Sequence, residues 1–207
     1  MRRSAHIITG EMVAHAPFTG FGTITGIVIM AFMFHLELRP DVSEALFWVF
    51  HPLHVLVSAW ATTAMYRLHA EKSRVRLVLI GYLGSVVIAT LSDSVIPYIG
   101  EFLLDLPNKG LHVGALEKWW LVNPLAIEGI LLGRLFPTTK FPHAAHVLLS
   151  TWASLFHMTM ATAAHFDVTT LVLVATFLFL AVWVPCCTSD IVFPLLFIDR
   201  RNEGETR

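Results

Sequence analysis

Charged residues are scarce in this sequence: Asp, Glu, Lys and Arg make up 14% of its 207 residues, whereas 56% of the residues are hydrophobic. So few polar side chains cannot coat the surface of a water-soluble globule of this size. The composition therefore excludes an ordinary soluble protein and predicts an integral membrane protein, with membrane lipids as its surroundings.

Cysteine is nearly absent, since the chain contains only Cys186 and Cys187, and these two are adjacent. An adjacent pair inside an apolar stretch does not indicate a disulfide framework. The first residues, MRRSAHIITGEM, lack the apolar run and the small-residue cleavage site of a signal peptide. We therefore expect these residues to remain in the mature protein.

Six apolar runs are long enough to cross the hydrocarbon core of a bilayer, which takes roughly 20 helical residues. They cover residues 17–36, 44–66, 76–99, 119–136, 144–164 and 168–197. Of the 14 Lys and Arg residues, 11 then share the side of both termini, and three lie opposite: Arg39, Lys109 and Lys118. Because basic residues collect on the cytoplasmic side, this division favours an all-α fold of six transmembrane helices with both termini in the cytoplasm.

A histidine motif occurs twice in these runs, as HPLHVLVSAW from His51 and as HAAHVLLSTW from His143. Two further patterns accompany each copy in the same order. Proline and two glycines precede it at matching spacing, and Ser-Asp-x-Val-x-Pro follows it, at residues 92–97 and 189–194. Three patterns in the same order predict an internal repeat.

The predicted organisation is one compact membrane domain with repeat one at residues 1–100, a linker at 101–118 and repeat two at 119–207. Each repeat contributes three helices, so the second copy must enter the membrane from the opposite side. This is an inverted-topology repeat, which is typical of transporters whose binding sites lie between the two halves.

Each histidine motif places polar side chains along one helix face. The face in repeat one carries His51, His54, Ser58 and Thr62, and the face in repeat two carries His143, His146, Ser150, Ser154 and His157. An antiparallel hairpin brings Asp93 level with His54, and Asp190 level with His146. Two imidazoles and a carboxylate per repeat form a ligand set suited to a divalent transition metal.

Further ligands are expected near the aspartates. Cys186 and Cys187 lie four and three residues before Asp190, so at least one thiol should share its helix face. Pro97 follows Asp93 by four residues and lacks the amide that would bond the Asp93 carbonyl. That carbonyl is therefore expected to be available to a cation.

The leading hypothesis is a transporter or channel for a divalent transition-metal cation, with one midplane site or two sites in series. The predicted metal ligands are His51, His54, Asp93, His143, His146, His157, Asp190, Cys186 and Cys187. Polar residues expected beside them are Ser58, Thr62, Ser150, Ser154 and Glu128, the last as an auxiliary charge. Zinc is the first choice of metal, and iron, copper and nickel suit the same ligands.

Three other functions stay open. A membrane-embedded metalloenzyme could activate water to hydrolyse a lipid-like substrate, or act as an oxidoreductase, although no catalytic residue is singled out. A b-type haem protein would use histidines as axial ligands, but Met65 stands where the first repeat would need a match for His157. A structural subunit of a membrane complex is the fourth. No nucleic-acid partner is expected, and a homo-oligomer is left open.

Overall fold

The computed structural model describes residues 2–36, 40–70, 73–138, 140–161 and 168–187. All regular structure in these residues is helical, which confirms the predicted all-α class. The elements are α1 (Arg2–His35), α2 (Pro40–Ala70), α3 (Arg74–Thr90), a π turn (Leu91–Val95), α4 (Ile96–Leu103), α5 (Gly114–Glu117), α6 (Trp119–Leu135), α7 (Lys140–Met160) and α8 (Val168–Cys187).

Three helical segments of the described residues are long and apolar enough to cross a membrane. They are Ala16–Met33 in α1, Asp41–Leu68 in α2, and Arg74–Leu103, which runs through α3, the π turn and α4. These segments support a membrane protein. The helices α6, α7 and α8 overlap the other three predicted runs, but within the described residues none of them is both long and apolar enough to count as a span. In α8, Val172–Cys186 is a shorter apolar segment.

The π turn arises where the α-helical hydrogen bonds are interrupted before Pro97. The Ile96 amide donates to the carbonyl of Leu91, five residues back, instead of to that of Ser92. Pro97, the next residue, has no amide hydrogen that could bond the Ser92 carbonyl instead. The hydroxyl of Ser154 on α7 donates to this carbonyl at 2.9 Å. The carbonyl that receives a donor from another helix is thus that of Ser92, one residue before the expected Asp93.

The two helices that carry the histidine motifs lie at the centre of the bundle. The helix α2 packs against α7, α6 and α3, and α7 also packs against α1, α8 and the π turn. The polar faces of α2 and α7 are therefore buried against each other and against the π turn, away from the exposed apolar side chains of the outer helices.

Glycines allow α6 to approach α2 closely. Gly129 faces the Leu56 carbonyl oxygen, and a Cβ atom added there would lie 2.8 Å from the Cβ of Ala59. Gly133 faces Thr63 in the same way, at 2.8 Å. Small residues at such crossings let helix backbones pack at short range in membrane proteins.

Replacing Gly129 with alanine should destabilise the protein, because the new methyl group meets a backbone carbonyl that cannot rotate away. Overpacking of this kind costs about 1–3 kcal/mol, and each kcal/mol lowers the melting temperature of a chain of this length by about 2–4 °C. Thermal unfolding of the purified protein in detergent measures the shift.

Gly20→Ala is the matched control, since no atom lies within 4 Å of a Cβ added at Gly20. Alanine is favoured over glycine inside a helix, so this variant should melt at or above the wild-type temperature. Equal melting temperatures for the two variants would contradict the close packing of α6 on α2.

Candidate metal centre

The carboxylate of Asp93 is fully buried and is bonded on both oxygens. Oδ2 lies 2.9 Å from Nδ1 of His51 and 2.7 Å from Nδ1 of His54. Oδ1 accepts hydrogen bonds from the hydroxyls of Ser92 at 2.7 Å and Ser150 at 2.8 Å. Because a carboxylate only accepts, both imidazoles donate from Nδ1, and their Nε2 atoms are directed elsewhere.

Three elements bring these groups together. The helix α2 supplies His51 and His54 from neighbouring turns, the π turn supplies Ser92 and Asp93, and α7 supplies Ser150. The predicted equal depth of His54 and Asp93 is confirmed by their hydrogen bond. The extra residue of the π turn widens the helix at this point, and Ser92, Asp93 and Ser94 are all buried there.

A potential metal site lies beside this network. His54, His146 and Cys186 each offer one ligand atom, and the three atoms lie within 4.8 Å of one another. All three side chains are buried, and they come from α2, α7 and α8. Two imidazoles and a thiolate are ligands that zinc takes in proteins, where a three-ligand set leaves a fourth position for water or substrate. We call this group the central site.

The carboxylate of Asp93 lies next to the central site. It accepts a hydrogen bond from Nδ1 of His54, so Nε2 is the nitrogen that remains for a metal ion. A carboxylate that accepts the second N–H of a ligating histidine fixes the ring orientation and makes the imidazole a better ligand. In this arrangement Asp93 fixes the ring of His54, and direct ligation of a metal ion by Asp93 stays a prediction.

Further imidazoles lie on both sides of the central site. The ring of His143 lies 5.0 Å from that of His146, and the ring of His146 lies 5.5 Å from that of His54. On the other side, Phe47 stacks on His51 at 5.2 Å and contacts His157 at 5.4 Å. On α7 alone, His143 and His157 are separated by roughly 21 Å at 1.5 Å per residue.

Two residues at the far end of this row were missed by sequence reasoning. Glu101 is buried, and its Oε1 lies 2.8 Å from Nδ1 of His157. The ring of His112 lies 5.5 Å from that of His157. The predicted end of repeat one at residue 100 leaves both residues in the linker, whereas α4 includes Glu101 and continues to Leu103. An acidic residue two turns beyond Asp93 was the available signal.

The remaining predicted residues are placed as follows. Ser58, Thr62 and Ser154 are buried in the bundle, whereas Glu128 is exposed on α6 and does not join the buried network. The Nε2 atom of His51 faces Gly114 at the start of α5, so His51 shares Asp93 with His54 without joining the central site. Asp190 and the side chain of Cys187 lie outside the described residues.

Comparisons with known proteins add no assignment. We find no significant match to a protein-family model, a curated protein or a solved structure.

Asp93→Asn should destabilise the protein strongly, because the amide group turns one of the two acceptor atoms into a donor that faces existing donors. Each buried polar group left unsatisfied costs about 1–3 kcal/mol. We expect a fall in melting temperature that is clear in thermal unfolding of the purified protein in detergent.

Asp105→Asn is the control. Asp105 is exposed and paired with Lys109 at 2.8 Å, and the hydrogen bond from Lys109 lowers the pKa of its carboxyl. Such surface pairs contribute little to stability, so this variant should melt close to wild type. A wild-type melting temperature for Asp93→Asn would contradict the network described above.

Proposed function

We propose that this protein transports a divalent transition-metal cation across a membrane, as a transporter or channel, and that the ion binds at the central site on its way. The observation that carries the proposal is the gathering of three buried ligand atoms from three helices within 4.8 Å. Zinc is the first choice because imidazole and thiolate together suit this ion.

The proposal includes six membrane spans arranged as two inverted repeats, with both termini in the cytoplasm. Its support is a matched set of glycine contacts. Gly22 and Gly26 on α1 face Thr151 and Leu155 on α7, and Gly129 and Gly133 on α6 face Ala59 and Thr63 on α2. The glycine pairs are offset by 107 residues and their partners by 92, the same offsets that relate the repeated patterns.

The position of the central site fits this proposal. His54 belongs to the proposed first repeat, and His146 and Cys186 belong to the second. Inverted-repeat transporters bind their substrates at the interface of the repeats, where each half can move against the other. The division of basic residues, with 11 of 14 on the side of the termini, supports the proposed orientation.

Passage of the ion, rather than permanent retention, is favoured by the imidazoles on both sides of the central site. His143 continues the row toward the start of α7, and its side chain is partly exposed. At the other end, the side chain of His112 is 29% exposed. Imidazoles on both sides of the central site, with Phe47 between His51 and His157, would give an ion successive positions to bind.

A metal-dependent enzyme is the second candidate, because three protein ligands with a fourth position for water are also typical of catalytic zinc. Such an enzyme would keep its metal ion bound instead of releasing it across the membrane. Metal analysis together with a flux assay distinguishes the two functions, and a visible spectrum of the purified protein tests the haem alternative.

The decisive variant is His54→Ala/His146→Ala, which removes both imidazoles of the central site. In liposomes that enclose a zinc-sensitive dye, wild-type protein should raise the rate of zinc uptake. The double variant should show the rate of protein-free liposomes. Cys186→Ser should lower the affinity for zinc by about 10-fold or more, because it removes one of three ligands.

His35→Ala is the control for the loss of a histidine, since His35 is exposed in the last turn of α1. Its uptake should equal that of wild type. Uptake at the wild-type rate by the double variant would contradict the proposal. Zinc that stays bound to wild-type protein without uptake would favour the enzyme.

A further inference from the structure

A second group of potential metal ligands lies beyond Phe47, where α7 packs against α4. It consists of His157 on α7, Glu101 on α4 and His112 in the segment before α5. Glu101 and His112 both lie beside Gly110, and His157 contacts Glu101 and the ring of His112. We call these three residues the linker site. None of the three belongs to the central site.

His157 is held in the way that His54 is held. Its Nδ1 lies 2.8 Å from Oε1 of Glu101, and the other oxygen of Glu101 accepts the Gly110 amide at 3.0 Å. The carboxylate takes the N–H on Nδ1, so a neutral His157 carries its lone pair on Nε2. This Nε2 atom is buried and has no hydrogen-bond partner among the described residues.

A buried polar atom without a partner carries a free-energy cost and calls for a ligand. The charge of Glu101 gives the same indication, because its side chain is 1% exposed and a buried carboxylate needs a compensating positive charge. A cation on Nε2 of His157 would satisfy both groups at once.

His112 supplies a second imidazole at the same place. Its ring lies 5.5 Å from the ring of His157, and its Nδ1 lies 3.1 Å from Oε2 of Glu117. The Nε2 atom of His112 faces Gly110, where an added Cβ atom would lie 3.3 Å away. Because this side chain is partly exposed, an ion could reach it from water.

We propose that the linker site is a second binding station for a divalent transition metal, with Nε2 of His157 and Nε2 of His112 as its ligands. The station takes up or releases the ion on the aqueous side, so its role rests on the proposed transport through the central site. It binds more weakly than the central site, because it has two imidazoles and no thiolate. Weak binding suits a position that an ion must leave.

Zinc binding to the purified full chain in detergent tests this proposal, with zinc alone as the probe. Wild-type protein should bind two equivalents of different affinity. His112→Ala should weaken the second equivalent at least 10-fold and leave the tighter one unchanged. His54→Ala/His146→Ala should remove the tighter equivalent and keep the weaker one.

Two controls keep the test clear. His112 is partly exposed, so His112→Ala leaves the buried network in place, and thermal unfolding checks that it folds. His35→Ala, at an exposed histidine, should retain both equivalents. A weaker equivalent that His112→Ala does not change, or its absence in wild type, would overturn the linker site. If wild-type protein did not bind the tighter equivalent, that result would instead contradict zinc binding at the central site.

Discussion

The buried carboxylate of Asp93 is the constraint on which the polar interior depends. A charge removed from water costs several kcal/mol unless nearby groups replace its hydration. Two imidazoles and two hydroxyls do so here, and they come from α2, the π turn and α7. Satisfying one carboxylate therefore fixes three elements relative to one another, and it fixes the ring of His54 that the central site uses.

Local backbone geometry makes this arrangement possible. Pro97 removes an amide, the helix accommodates the loss with a π turn, and the Ser92 carbonyl that loses its partner is bonded by Ser154. The same interruption directs the side chains of Ser92 and Asp93 toward the interior of the helix bundle. Glycines at the α2–α6 and α1–α7 crossings then bring the helices close enough for short side chains to meet.

The helices and part of the candidate site could be predicted from the sequence. Apolar runs predict the helices, and the repeated histidine and Ser-Asp motifs identify His54, His146 and Asp93 as candidate residues. Helical periodicity could not identify which histidines converge, because that depends on crossings between helices far apart in the chain. The exposure of Glu128 could not be predicted, because a largely apolar helix gives no sequence signal for which of its faces is buried. Glu101 falls in the predicted linker, because the apolar run ends at residue 99 whereas α4 continues to Leu103.

The most direct measurement is X-ray absorption spectroscopy at the zinc edge, on protein loaded with one equivalent of zinc. The central site predicts one sulfur at about 2.3 Å and two imidazole nitrogens at about 2.0–2.1 Å. The sulfur signal should vanish in Cys186→Ser. A zinc shell in wild-type protein without sulfur, or one unchanged by this substitution, would contradict a metal centre built from His54, His146 and Cys186.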